Sequence, residues 1–349
     1  DPLYASGTHG DRMGAMIIVT GGAGCVGSGL VGVLCARGLD VVVVDRLRDG
    51  GKWRNLRRHV PLQIISPDEL DFFLSQVGGT ESGRDTGQPD VRAVFHLGAI
   101  SATTARDGDL VWNTNVALSE KLWRWCTQRG VRFIYASSAA TYGAADRVDL
   151  FQDDPARLAT LEPLNLYGWS KQVFDLHVKR HLEQGEARPP QWAGLKFFNV
   201  YGPNEYHKGS MISVVKVKYD EVKAGRPARL FRSDRPDIAD GQQMRDFIWV
   251  GDVVKVMLWL YDHPDISGLF NCGTGVARSY LDLAHAVCDA AGVTRAVAFI
   301  DMPDSLRGQY QSFTQADMSR LRAAGYTEDF TSLEDGIGLY VRDYLSKAD

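Results

Sequence analysis

The sequence predicts an α/β protein: a doubly wound parallel sheet with a smaller α/β domain attached. Three observations carry this. Short β-branched apolar runs alternate with amphipathic stretches from Met16 to about residue 200. The first run ends in a glycine-rich turn. Beyond residue 200 the alternation loosens into polar, Pro/Gly-containing stretches.

Taken in order, "MIIVTGG" (16–22) reads as a buried parallel strand and "SGLVGVLCARG" (28–38) as a helix with a glycine stop. "DVVVVDR" (40–46) is a second buried strand, so residues 16–46 form a βαβ unit. "RAVFHLGA" (92–99) is a strand, "NTNVALSEKLWRWCTQRG" (113–130) an amphipathic helix, and "RFIYASSAATYG" (132–143) a strand running into a loop. "YGWSKQVFDLHVKRHLEQG" (167–185) is a long helix and "WAGLKFFNVYG" (192–202) one further strand. Then "SMISVVKVKYDEVKAG" (210–225) reads as a helix, "RSDRPDIADGQQ" (232–243) as a loop, and "RDFIWVGDVVKVMLWLYDH" (245–263) as strand into helix. The expected division is a leader or tag at 1–15, a dinucleotide-binding domain at 16–198 and 246–272, and a substrate-binding domain at 199–245 and 273–349.

The turn "TGGAGCVGS" (20–28) holds Gly21, Gly24 and Gly27 between a strand and a helix. That placement suits a dinucleotide pyrophosphate, with Cys25 and Val26 at the helix mouth. Asp45 ends the second strand, where an acid can bind the adenosine ribose. The acid favours NAD; Arg46 and Lys52 close behind it can hold a 2′-phosphate and favour NADP, so NADP is expected with NAD possible. Cys25 admits two readings: an apolar filler, or a thiol whose pKa the helix N-terminus lowers.

Tyr167 and Lys171 are four apart, so they share a helix face. A free phenol, with pKa about 10, is a poor base at neutral pH, and a neighbouring ammonium favours its phenolate. Ser138 stands at the C-terminal end of a strand, where ligands bind in such sheets. These three residues make the pattern of a nicotinamide-dependent dehydrogenase. A second lysine, Lys208 in "YHKGSM" (206–211), has no place in that pattern.

Bulk properties narrow the partners. The 349 residues are 44% hydrophobic with net charge −4, which gives no electrostatic case for nucleic acid or an anionic membrane. No apolar run is long enough to span a bilayer. The five cysteines form no C-x-x-C pair and accompany no histidine cluster, so no metal site is expected. Residues 1–15 lack the apolar core of a signal peptide, and a cytoplasmic location is expected.

The chain resembles the extended short-chain dehydrogenase/reductase family, the nucleotide-sugar epimerases and dehydratases. It is most similar to the ADP-L-glycero-D-manno-heptose 6-epimerases. The segments that carry this are "IIVTGGAG", "VVDRLRDGGKW", "FHLGAISATT", "YASSAATYG", "LNLYGWSK", "FFNVYGPNEYHKGSM", "RDFIWVGDV", "FNCGTG" and "LRGQYQSFTQADMSRLRAAGY". The resemblance implies a Rossmann-type fold and epimerisation at C6″ of ADP-D-glycero-D-manno-heptose by transient oxidation with bound NADP, supplying heptose for lipopolysaccharide. It implies two acid/bases, Tyr167 and Lys208, one for each face of the carbonyl, and a homo-oligomer, often a pentamer. It places Lys52, Leu97, Gly98, Ala99, Asn115, Lys171 and Val200 at the cofactor. Asn199, Ser210, Phe231, Arg232, Ser233, Asp234, Arg245 and Tyr310 fall at the nucleotide sugar. The chain departs from the family at "GCVGSG", usually "GFIGSN", at Ala105, where an acid is common, and in a longer loop at 235–243. Two other readings compete. A UDP-sugar 4-epimerase would leave Lys208 idle, and a dehydratase would want an acid pair where Ala139 and Ala140 stand. A non-catalytic NAD(P)-sensing protein would not need Tyr167 and Lys171.

Overall fold

A computed structural model of the protein describes residues 15–79, 89–204 and 213–347. Lys208 and Ser210 lie outside the described residues, as does the expected leader apart from Ala15.

The first half runs β1 (Met16–Thr20), α1 (Cys25–Ala36), β2 (Asp40–Val44), β3 (Gln63–Ile65), α2 (Leu70–Ser75), β4 (Gly78–Gly79), β5 (Asp90–His96) and α3 (Gly108–Val111). A π-helical turn (Trp112–Ala117) follows, then α4 (Leu118–Arg129), β6 (Arg132–Ser138), α5 (Leu166–Glu183) and β7 (Trp192–Phe197). The second half adds β8 (Asn199–Tyr201), α6 (Val214–Lys223), β9 (Ala228–Phe231), β10 (Met244–Arg245), β11 (Phe247–Trp249), α7 (Val250–Asp262) and β12 (Gly268–Cys272). It closes with β13 (Arg278–Ser279), α8 (Tyr280–Ala291), β14 (Val297–Ile300), α9 (Ser319–Ala324) and α10 (Leu333–Asp343).

The main sheet has the order β12-β7-β6-β5-β1-β2-β3, with β4 on β5, and every pairing is parallel. Strands buried on both faces need continuous apolar runs, which is why "IIV" and "VVVV" could be read directly. The order reverses between β1 and β5. A crevice therefore opens beyond their carboxyl ends, where ligands bind in sheets of this kind.

The structure departs from the sequence reading in three places. The first helix begins at Cys25, not Ser28, because the glycine-rich turn feeds straight into it. The strand expected over 192–202 breaks at Phe198: Phe197 pairs with Ser138 and Cys272, but Asn199 turns to Phe247 on β11. The helix expected over 113–130 opens with the π-turn.

Beyond the main sheet, β8 pairs with β11, β9 with β14 and β10 with β13. A separate apolar cluster joins Val215 and Tyr219 of α6, Leu283 and Val287 of α8, and Ile337 and Tyr340 of α10. Leu321 and Tyr326 pack instead with the main-sheet core, so the chain recrosses towards that sheet before α10.

Candidate active site

The glycine-rich turn is built for close backbone approach. Gly21 has φ +67, and a Cβ there would lie 2.7 Å from the Gly98 nitrogen. A Cβ on Gly27 would overlap the Gly21 carbonyl oxygen. The turn between β1 and α1 thus packs directly on the turn after β5, leaving a side-chain-free cradle at a helix N-terminus. Thr20 joins the two turns: its hydroxyl accepts from the Gly98 N–H at 3.0 Å and lies 2.6 Å from His96 Nδ1. Burial, and then the charge of Lys171, push His96 down to about 3, so it is neutral.

Asp45 follows β2 and faces the same cradle. Its Oδ2 accepts the Ala23 N–H at 3.0 Å; its Oδ1 accepts the Arg46 N–H at 2.8 Å and Lys52 Nζ at 2.6 Å. Arg46 lies at the solvent edge, held through both guanidinium nitrogens by Asp68 at 3.0 Å. The cradle, the acid and the two cations fit a nicotinamide dinucleotide. A 2′-phosphate would compete with Asp68 for Arg46.

Asn115, in the π-turn, serves as a brace. Its side-chain oxygen accepts the Ile100 N–H, and its amide donates to the Ile100 carbonyl and to Ser170 Oγ, at 2.9–3.0 Å. It therefore locks the turn carrying Leu97, Gly98 and Ala99 to α5.

On α5, Tyr167 stands beside Ser138 at the end of β6, both on the wall of one cleft. Burial raises the phenol's pKa, the Ser138 hydroxyl lowers it, and Asp175 raises it. Lys171 is buried, donates to the Ala136 carbonyl at 2.9 Å and lies 5.9 Å from the Tyr167 ring centroid. Burial pushes its ammonium down to about 8, against the pull of Asp175. A lysine of this kind is charged at neutral pH and close to losing that charge.

These groups open on a cleft of about 600 Å³, lined by Lys52, Ala99, Ser101, Ser138, Tyr167, Asn199, Val200 and Tyr201, with Ser213 and Tyr280 opposite. Tyr280 of this lining belongs to a cation–aromatic cluster. The buried Arg245 guanidinium lies 4.7 Å from the Tyr310 ring centroid and 5.5 Å from that of Tyr280, and Phe231 meets Tyr310 edge-on at 6.2 Å. A flat cation between rings suits a nucleoside diphosphate. Arg232 and Asp234, by contrast, are exposed; Arg232 pairs with Asp301 at 3.3 Å, while Ser233 caps its own loop by bonding Arg235. Tyr280 escaped the sequence reading because one tyrosine opening a helix carries no signal.

The surroundings of Cys25 suit the filler reading. It is buried, packs with Tyr201 and Val215, and its thiol donates to the Pro203 carbonyl at 3.2 Å. Among the described residues, no group of three His, Cys, Asp or Glu could hold a metal ion, and no helix is long and apolar enough to cross a membrane.

Comparison with known proteins agrees with the geometry. Residues 17–273 match the NAD dependent epimerase/dehydratase family. The ADP-L-glycero-D-manno-heptose-6-epimerase of Nitratidesulfovibrio vulgaris is 50% identical over 96% of this chain and 99% of its own. The protein of that name from Fusobacterium nucleatum is 42% identical over the same shares. Among solved structures, the Helicobacter pylori ADP-L-glycero-D-manno-heptose-6-epimerase superposes with TM-score 0.75 at 26% identity, covering 95% of this chain and 96% of that one. The Thermus thermophilus UDP-glucose 4-epimerase, in complex with NAD, gives 0.71 at 25%, covering 96% and 100%.

Proposed function

Because the chain belongs to the NAD dependent epimerase/dehydratase family, and within it to the ADP-L-glycero-D-manno-heptose-6-epimerases, we propose that it interconverts the two C6″ epimers of ADP-glycero-manno-heptose by transient oxidation and return of the hydride. The observation that carries the chemistry is that Ser138 and Tyr167 stand side by side on one cleft, backed by Lys171, at the sheet's switch point.

A bound nicotinamide dinucleotide supplies the hydride acceptor and, on return, the donor. The chain's groups do the rest. Tyr167, as phenolate, takes the proton from the C6″ hydroxyl of one epimer as the carbonyl forms. Ser138 holds the reacting oxygen. Lys171 favours the phenolate and holds the nicotinamide ribose hydroxyls. Inversion brings the hydride back to the opposite carbonyl face, and that face needs its own proton carrier. Lys208 is assigned this role; Tyr201 before its segment and Ser213 after it both line the cleft. Arg245 with Tyr280 and Tyr310 holds the nucleoside diphosphate, and Asn199 with Ser210 the sugar. Asp45 and Lys52, joined by Arg46, seat the adenosine end, with NADP preferred over NAD. The division into dinucleotide-binding and substrate-binding domains, a homo-oligomer measurable by light scattering and a cytoplasmic location belong to the same reading.

The test is NMR of ADP-D-glycero-D-manno-heptose incubated with the enzyme and no added reductant. The expected outcome is a mixture of the two C6″ epimers without net consumption of NADP. Stoichiometric NADP turnover, or an unchanged sugar, would overturn the proposal.

A further inference from the structure

Behind the reacting groups lies a charged pair that the chemistry above does not use. Asp175 is one turn beyond Lys171 and two beyond Tyr167, so all three share a face of α5. Its carboxylate is shut off from solvent and fully engaged. Oδ1 accepts the Tyr135 hydroxyl at 3.1 Å, and Oδ2 accepts Ser137 Oγ at 2.6 Å and Lys196 Nζ at 3.1 Å. Lys196 sits near the carboxyl end of β7, opposite Ser137 in register; the Asp175 and Lys196 side chains are both 0% exposed. Its ammonium also donates to Thr141 Oγ1 at 2.6 Å, and Thr141 donates to the Ser138 carbonyl at 2.8 Å. One short chain of bonds thus runs from the helix bearing Tyr167 and Lys171, through the pair, to the strand end bearing Ser138.

A buried ion pair is a poor way to gain stability, since apolar residues of similar volume usually do as well. Its position relative to three reacting groups calls for a different account. We propose that Asp175 and Lys196 are positioning residues for the epimerisation: the pair sets the Ser138 strand end against the Tyr167–Lys171 helix face, and its balanced charges fix the electrostatic setting in which those groups exchange protons. This rests on the function proposed above.

Asp175 on α5 acts on both Lys171 and Tyr167, and the neutral His96 on β5 feels Lys171. Behind Asp175 stand its partners, Lys196 on β7 and the phenol of Tyr135 on β6, with the Tyr142 ring under the Lys196 ammonium. Of these neighbours only Asp175 and Lys196 are charged, with opposite signs. Asp175 draws the pKa of both Lys171 and Tyr167 upward, so unbalancing the pair moves both in one direction.

The experiment compares Asp175→Asn, Lys196→Met, the double variant Asp175→Asn/Lys196→Met, and Lys196→Arg. Two readouts are followed from about pH 6 to about pH 10: kcat and KM for epimerisation, and NADPH affinity by fluorescence. Asp175→Asn leaves a lone cation, so both limbs of the kcat profile and the midpoint of the affinity loss move to lower pH, by about one unit. Lys196→Met leaves Asp175 charged and still held by Ser137 and Tyr135, so the same features move to higher pH by about as much. The double variant returns the limbs to their wild-type positions. Its kcat nevertheless falls about tenfold at nearly constant KM, because Thr141 has lost its tether. Lys196→Arg restores both. Limbs that stay fixed, or that move the same way in both single variants, would overturn the proposal. Should a single variant fail to fold, the double variant decides: wild-type kcat and affinity there would also overturn it. If wild-type enzyme does not epimerise the ADP-heptose, that result counts against the function, and the NADPH midpoints alone test the pair.

Discussion

The two ends of the cofactor cleft are held by opposite kinds of electrostatics. At the reacting end, Ser138 and Lys171 are buried, Tyr167 is half-buried, and the charged pair behind them is sealed from water. At the adenosine end, Arg46 and Asp68 face solvent, with 47% and 76% of their side chains exposed. Buried groups have shifted proton affinities and fixed partners; exposed ones can trade partners at little cost. Proton transfer needs the first condition. Choosing between two cofactors that differ by a surface phosphate needs only the second.

The largest expected effects belong to the two proposed proton carriers, Tyr167→Phe for one face of the carbonyl and Lys208→Met for the other. Each should cost about 10²–10⁴-fold in kcat while NADPH affinity changes little. Measured epimerisation near wild type in Lys208→Met, beside a dead Tyr167→Phe, would reduce Lys208 to a binding residue.

Next in size is Gly21→Ala. A Cβ at φ +67 and 2.7 Å from the Gly98 nitrogen forces apart two turns that must touch. The strain is about 1–3 kcal/mol. It should appear as a lowered Tm and as NADPH binding weakened more than the Tm change accounts for.

A smaller effect is pH-dependent. Lys171 is pushed down to about 8, so its support for the phenolate is present below that pH and lost as pH rises through it. Activity and NADPH affinity should both decline above about pH 8, roughly tenfold per unit at the limit, and a plot of log kcat against pH checks it.

The smallest effects belong to the exposed end. Arg46→Ala should weaken NADP by about tenfold and NAD hardly at all, since one surface charge on a phosphate is worth little more. Asp68→Asn should do the reverse, tightening NADP severalfold by freeing Arg46. Equal losses for both cofactors in Arg46→Ala would show that Arg46 does not meet the 2′-phosphate. These measurements separate a charge that is spoken for from one that is available.

What the sequence disclosed followed the same line. Local signals were legible: the glycine spacing of the turn, the apolar runs of the main strands, and the four-residue step from Tyr167 to Lys171. Signals that depend on distant partners were not. Phe198 breaks a strand because β11 and β12 claim its two sides, and neither is near it in sequence. Asp175 and Lys196 left traces, an acid at two-turn spacing from Tyr167 and a lysine inside the apolar run "WAGLKFF", but each is meaningful only beside the other. Arg245, Tyr310 and Phe231 were placed by resemblance and do converge. Tyr280 completes their cluster from a helix start that nothing in the sequence marks.

The π-turn at Trp112–Ala117 has a consequence for how the chain tolerates gain and loss of residues. Val111 and Val116 are both buried although they are five apart; on a regular helix they would be rotated by about 140° from each other. The wide turn absorbs that phase difference, as one surplus residue stored in a helix would. Deleting one residue there would let the helix close regularly while turning Asn115 away from Ile100 and Ser170, whereas the same deletion in an exposed loop would go unnoticed. The helix thus records in its winding a length that the cofactor turn requires.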